Sequence, residues 1–553
     1  MLNIKRLYLF SFSIIIAFLF YYQILKGDYF YIRSKNNYIK IIPTCALRGK
    51  IFDRNSNVCA YDDISFNIAV IPYQVKWVKD IFFKDIAKLL NCNENILHKN
   101  YKKNFQNYFT PTNILIDINK IDALKLKESF GENIIINTLP KRFYVYPYEF
   151  AHLLGYVKEV PSLYLDLKYG YNPNERIGLL GIEEYYNDYL AGKDGGDLVE
   201  VNAKGEIVGF IGRLKPKNGN DIYLTIDKDI QILAYKLFNN RRGALIFMDS
   251  NTGEIIALVS SPSFNPNNFV LGKNIEEFLN NKDKPLINRA IQSTYPLGST
   301  FKPIIATAAL EKSKITPNTT FFCKGKIKIA DKEFKCLGIH GKENIYEAIM
   351  HSCNIYFYNL GLILGIESII EYIKKFSLNN LTGIDLPYEK KSTIPLISEQ
   401  KKWFLGDTIN LSIGQGALEV NPLKLTIALN TFANGGFIIK PYIVKKQTDI
   451  KREHIGVSKE TLEIIKKGLI LTVENKEGTA HLLNDLNLKI AGKTGTAQTK
   501  SKAHGWFFGF FPYDKPKYTI CVFLENIGTS HEAVKLTYDF LFELKNKNLI
   551  KND

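Results

Sequence analysis

Leu297-Gly298-Ser299-Thr300-Phe301-Lys302-Pro303 sets a serine three residues before a lysine. Where such a stretch opens a helix, hydroxyl and amine share one face about one turn apart. A serine hydroxyl is a poor nucleophile until a neighbouring base takes its proton. A lysine can be that base when burial or a nearby cation lowers its pKa. Alone, S-x-x-K occurs in many helices. Here Ser352-Cys353-Asn354 follows about 50 residues on, and Lys493-Thr494-Gly495-Thr496 about 140 after that. These three motifs in this order carry serine acyl-transfer chemistry.

The 553 residues, 46% of them apolar, suit two or three domains with a sizeable core. Leu7 to Leu25 is mostly apolar and long enough to span a bilayer as one helix. Lys26-Gly27-Asp28-Tyr29-Phe30-Tyr31 offers no small-x-small cleavage site, so the stretch reads as an anchor rather than a cleaved signal peptide. Lys5 and Arg6 precede it while Lys26, Arg33 and Lys35 follow, so charge does not orient it. The net charge of +17 comes from lysines scattered among asparagines and isoleucines, with no nucleic-acid module. It reads as a solvated surface without a nucleic-acid partner, of a sign that attracts anionic headgroups or a carboxylate-bearing polymer. Seven cysteines, an odd number, make no disulfide framework.

Four segments follow in order: a tip and anchor over 1–27, an N-terminal domain over 28–219, a second domain over 220–545 and a polar tail over 546–553. The linker is Lys215-Pro216-Lys217-Asn218-Gly219-Asn220. In the first domain Phe66 to Ile71 reads as a strand, and residues 75–130 as amphipathic helices separated by Asn-rich loops. Arg142 to Pro147 and His152 to Val157 have strand propensity, and a helix is expected from Ile182 to about Leu190. In the second, a helical run reaches Phe238. Strands over 244–249 and 254–259 flank Asn251-Thr252-Gly253 as a hairpin. Strands near 489–491, 506–511 and 518–524 and a helix from about Glu532 close the chain. That order predicts an α+β domain, an antiparallel sheet with helices against it.

From roughly residue 45 onward the chain resembles the class B penicillin-binding proteins, and within them the elongation (rod) type. The resemblance rests on the three motifs, on Tyr295-Pro296-Leu297-Gly298, on Gly406-Asp407-Thr408-Ile409-Asn410 after Trp403, on Gly414-Gln415-Gly416 and on Ala497-Gln498. Arg48 to Arg54, His152 to Val157 and Gly181-Ile182-Glu183 resemble blocks of the family's N-terminal pedestal. The Gly-Asp-Thr block and His340-Gly341 are closer to the elongation type than to its division sister. Leu297 departs from the family, standing where a second proline is usual.

This resemblance implies an elongated, dimerisation-like pedestal and a penicillin-binding transpeptidase domain with helices on both sides of its sheet. It implies a penicillin-sensitive serine D-Ala-D-Ala transpeptidase that cross-links peptidoglycan stem peptides through an acyl-serine intermediate. Ser299 is then the nucleophile, Lys302 its base, Ser352 a proton relay, Asn354 a holder of the substrate amide and Lys493 a positive charge beside the substrate carboxylate. Thr494, Gly495 and Thr496 line the substrate strand. Expected partners are stem peptides, β-lactams, the membrane and a SEDS-family glycan polymerase, with the catalytic domain outside the cytoplasmic (inner) membrane. Competing readings are a division-type penicillin-binding protein, a β-lactam sensor or a structural activator.

Cys323, Cys336, His340 and Cys353 lie close in sequence, with Cys353 inside the Ser-x-Asn motif. Three thiolates and an imidazole suit one tetrahedral zinc ion. Some elongation-type members are similar in having zinc in this region, with carboxylates where this chain has Cys323 and Cys336. The alternative is a Cys323–Cys336 disulfide. Cys45, Cys59, Cys92 and Cys521 read as isolated buried thiols.

Overall fold

A computed structural model describes residues 2–105, 108, 111–159, 176–201, 207–273, 275–329, 331–395, 403–445 and 450–550. Residues 551–553 of the polar tail lie outside them. The apolar N-terminal run is helical from Leu2 to Phe20 and continues as a π-helix from Tyr21 to Leu25. Ile4–Leu25 is long and apolar enough to cross a membrane, and none of it is buried within the protein.

The described residues divide into two compact units. The first comprises Met1–Gly49, Asp62–Phe143 and Asp188–Asn220. Its core gathers Ile68, Val70, Phe83, Ile86, Leu97, Ile114 and Leu126. The helices Lys79–Leu89, Glu94–Asn104 and Lys120–Phe130 are amphipathic as expected, and Asn93 and Asn119 cap the second and third with their side chains. Between them Thr112–Ile118 is a strand paired with Phe66–Val70, where helices and loops alone were expected. Its β-branched Thr-Asn-Ile-Leu-Ile run is too short for a helical period to compete. Gly195–Val201 pairs on one side with Ile39–Thr44 and on the other with Ile207–Leu214.

The second unit comprises Lys50–Tyr61, Tyr144–Asn187 and Asp221–Asp553. His152–Val157 is not a strand throughout: Ala151–Leu154 is one helical turn, and only Val157–Glu159 is extended. Expected as one helix, residues 182–190 are two, Gly181–Tyr185 and Asn187–Leu190. The Asn187 side chain turns back there to accept from the Gly178 amide.

This unit is built on a five-stranded antiparallel sheet in the order Ile255–Ser261, Gly243–Asp249, Tyr518–Leu524, His504–Phe511, Ala491–Ala497. The first two are the expected hairpin. Alternation along the strands sorts the side chains onto two faces. Phe507, Phe511, Ile520 and Val522 face the helices Lys228–Phe238 and His531–Asn546. Trp506, Phe508, Phe510, Cys521 and Phe523 face a larger cluster built from the helices Lys302–Glu311, Ile345–Met350 and Asn354–Lys375. The edge strand begins at Ala491, where the expected strand near 489–491 was to end. It therefore carries the whole Lys-Thr-Gly-Thr motif.

Candidate active site

The nucleophile motif folds as a 3-10 turn, Gly298–Phe301, that runs into the α-helix Lys302–Glu311 with Pro303 in its first turn. Serine and lysine are thus one tight turn apart, and the Lys302 amide donates to the Ser299 carbonyl. The turn is held by backbone. Gly298 has φ +56° and donates its amide to the Gly414 carbonyl at 2.8 Å, and Gly414 itself has φ +72°. A Cβ on Gly414 would overlap the Gly298 carbonyl oxygen. The edge strand lies as close: a Cβ on Gly298 would stand 2.6 Å from the Thr496 carbonyl oxygen. Glycine serves these places because backbone must pass backbone without a side chain between.

Ser352-Cys353-Asn354 is the corner between the helices Ile345–Met350 and Asn354–Lys375. Ser352 has φ +57°, a left-handed conformation that a residue with a Cβ adopts only when its surroundings impose it. The corner points both serine oxygens at the lysine. Lys302 Nζ donates to the Ser352 carbonyl at 2.6 Å, to Ser352 Oγ at 3.2 Å and to Asn354 Oδ1 at 2.7 Å. The Phe357 ring lies 5.3 Å from the same nitrogen.

Lys302 and Lys493 are both fully buried, while Ser299 is half-buried. Burial pulls the Lys302 ammonium down to about 8, against an opposing pull from the Cys336 and Cys353 thiols. The Lys493 ammonium is held well below its ordinary value by burial and by the charge of Lys302. Lys493 Nζ donates to the Thr494 carbonyl at 3.1 Å, and Thr494 Oγ1 lies 2.8 Å from Thr479 Oγ1. Thr496 Oγ1 accepts from the Ser530 amide at 3.3 Å. Ser352, Asn354 and Lys302 are thus joined directly, with Lys493 within electrostatic reach. Phe357 and Thr479 stand at the site without any signal in the sequence, since both ends of each contact come together only on folding.

The four candidate metal ligands also converge. Cys323 Sγ, Cys336 Sγ, Cys353 Sγ and a ring nitrogen of His340 all lie within 4.8 Å of one another. His340 Nδ1 is 3.5 Å from Cys323 Sγ and 3.6 Å from Cys336 Sγ. Tetrahedral zinc at its usual bond lengths demands ligand-to-ligand edges of about 3.5–3.8 Å, so the donor set fits in number and type, and its two edges from His340 Nδ1 fit in length. In this structure all seven cysteines are free thiols. Cys336 and Cys353 are hydrogen-bonded, which pulls the first thiol down and, with burial, pushes the second up. Cys336 Sγ also accepts from the Asn354 amide at 3.1 Å, tying the cluster to the Ser-x-Asn corner. Of the remaining thiols Cys59 and Cys521 are buried as expected, but Cys45 and Cys92 are partly exposed.

Residues 243–541 match the penicillin binding protein transpeptidase domain, and residues 43–224 the penicillin-binding protein dimerisation domain. The chain is 33% identical to peptidoglycan D,D-transpeptidase MrdA of Acinetobacter baumannii, over 96% of this chain and 85% of that protein. It is 30% identical to the protein of the same name from Escherichia coli, over 93% of this chain and 89% of that one. Penicillin-binding protein PBP2 of Helicobacter pylori, solved in complex with MreC, superposes with a TM-score of 0.84 at 28% identity, covering 93% of this chain and 99% of that one.

Proposed function

We propose, for a chain that belongs to the class B penicillin-binding protein family, that it is a peptidoglycan D,D-transpeptidase of the elongation type, working through an acyl-Ser299 intermediate. The observation that carries the reading is Lys302: fully buried, depressed to about 8, and bonded at once to Ser352 and Asn354. A neutral amine one turn along the chain from a serine can take its proton.

Ser299 Oγ attacks the carbonyl carbon of the penultimate D-alanine of a stem peptide, and its proton passes to Lys302 Nζ. Backbone amides of Ser299 and Thr496 receive the oxyanion, and such a donor is worth about 3 kcal/mol. As the C–N bond breaks, Ser352 Oγ, 3.2 Å from Lys302 Nζ, relays a proton to the departing D-alanine amine. Asn354 holds the substrate amide. An amine of a second strand then attacks the acyl carbon and releases Ser299, forming the cross-link. The substrate's terminal carboxylate favours the charged form of Lys493, offsetting the burial that depresses it. Thr494 and Thr496 flank that carboxylate, and Gly495 lets the substrate backbone lie along the strand edge.

Cys323, Cys336, His340 and Cys353 are the residues that would hold a zinc ion. Its contribution would be structural, pinning the hairpin that carries Cys336 to the Ser352–Asn354 corner. The name of the relatives in Acinetobacter baumannii and Escherichia coli and the partner in the Helicobacter pylori complex favour elongation over division. Consistent with that role, Ile4–Leu25 anchors the chain in the cytoplasmic membrane with the catalytic unit on its outer side, beside a SEDS-family polymerase that makes the glycan.

Labelling the full-length protein with a fluorescent penicillin, with intact mass as readout, tests the assignment. A stable adduct in the wild type that disappears in Ser299→Ala is expected. A well-folded wild type that takes no adduct would leave only a structural role.

A further inference from the structure

We propose that the solvent face of the hairpin formed by strands Lys326–Ile329 and Lys332–Lys335 docks the carboxylates of the acceptor peptide strand. The proposal deepens the transpeptidase reading and rests on it.

Between Lys324 and Lys342 the chain places six lysines against Asp331 and Glu333. The strand register decides where they point. Lys326 pairs with Lys335, Ile327 with Phe334 and Lys328 with Glu333. Directly paired residues of an antiparallel ladder share a face and alternate along it. Ile327, Ile329 and Phe334 accordingly pack on the core of the second unit. Lys326, Lys328, Glu333 and Lys335 are exposed together on the other side.

That outer face is electrostatically unbalanced. Two lysines directly opposite one another, Lys326 and Lys335, repel, a pairing that stability alone disfavours. The single carboxylate on the face, Glu333, is 2.9 Å from Lys326. Among the described residues Lys328 and Lys335 take part in no ion pair. An anionic ligand lying across the face would relieve the repulsion.

The hairpin is also anchored to the catalytic corner. The Lys335 carbonyl accepts from Asn354 Nδ2 and from the Tyr358 hydroxyl, both at 3.2 Å, and the next residue, Cys336, accepts from the Asn354 amide. The cationic face is therefore fixed beside the residue that holds the donor amide. A stem peptide carries its own carboxylates, and cross-linking needs a second such peptide to approach the acyl-enzyme. Charge of this sign at this place steers that second peptide in.

The test compares the full-length wild type with Lys328→Gln/Lys335→Gln, following cross-linking of a D-Ala-D-Ala donor peptide to a synthetic stem-peptide acceptor and to the same acceptor with its carboxylates amidated. The KM for the acidic acceptor should rise about fivefold, as for two exposed ion pairs, and this difference should shrink with added salt. The KM for the amidated acceptor should be the same in both proteins, and Lys328→Arg/Lys335→Arg should keep the wild-type value. Fluorescent penicillin, which needs no acceptor, reports separately on folding and on the donor half-reaction. Equal KM values for the acidic acceptor, or equal losses toward both acceptors, would overturn the proposal. So would a loss confined to binding of phosphatidylglycerol vesicles, which would make the face a membrane contact. A wild type that takes penicillin but cross-links neither acceptor would overturn the transpeptidase reading instead, and this proposal with it.

Discussion

Lys302 offers the sharpest quantitative test, because its burial translates into a rate. With its ammonium depressed from 10.5 to about 8, about a fifth of the molecules carry a free amine at pH 7.4, against about one in a thousand for an ordinary lysine. The shift corresponds to about 3 kcal/mol, all of it traceable to a side chain with no exposed surface. The second-order rate of penicillin acylation should rise about fifty-fold from pH 6 to pH 8 and level off above pH 9, following the free-amine fraction. Stopped-flow labelling over that range measures it. Lys302→Arg keeps the charge but provides no base, and should lower the rate by about 10²–10⁴ at every pH. A profile flat between pH 6 and 8, or an arginine variant with most of the wild-type rate, would refute the assignment of Lys302 as base. Stability gives an independent check of sign. The folded state lowers this pKa, so between pH 8 and 10.5 the unfolded chain binds more protons at this site, and the stability difference between wild type and Lys302→Met should shift in favour of the wild type as pH rises across that window.

Metal analysis of the purified full-length protein should find about one zinc per chain, lost in Cys336→Ser and in Cys353→Ser. A protein without zinc, whose mass shows a Cys323–Cys336 bridge, would establish the disulfide instead. Gly414→Ala puts a Cβ into the Gly298 carbonyl at a positive φ, and should cost about 1–3 kcal/mol in denaturant unfolding while slowing acylation by more than tenfold. Unchanged kinetics would show that the nucleophile turn does not depend on that backbone contact. Ser352→Ala removes one of the three acceptors of Lys302 Nζ and the relay hydroxyl. Acylation should fall about 10²-fold or more, with the effect in the maximal rate rather than in affinity.

Much of the site was legible in the chain because its chemistry is local. Ser299 and Lys302 reach one turn through their spacing alone, and Ser352 and Asn354 bracket a single corner. The long apolar run and the hairpin around Asn251-Thr252-Gly253 were readable for the same reason, each being set by neighbours in sequence. Two of the boundaries that failed were decided by distant partners. Thr112–Ile118 is a strand because Phe66–Val70 offers it a ladder. The edge strand extends to Ala497 because His504–Phe511 pairs along the whole motif.

By itself the sequence determined which groups can do the chemistry: a serine, two lysines, a second serine, an asparagine and four soft metal donors, in an order that names a family. Only the tertiary structure decided what state those groups are in. Both lysines are depressed because folding strips them of water, and Lys493 further because the charge of Lys302 stands against it. Ser352 meets Lys302 because a left-handed corner aims it there. Three of the six lysines between Lys324 and Lys342 become a cationic face because a two-residue period, in one register, turns them the same way. Identity is a property of the covalent chain, whereas pKa, strain and field belong to the surroundings that folding assembles.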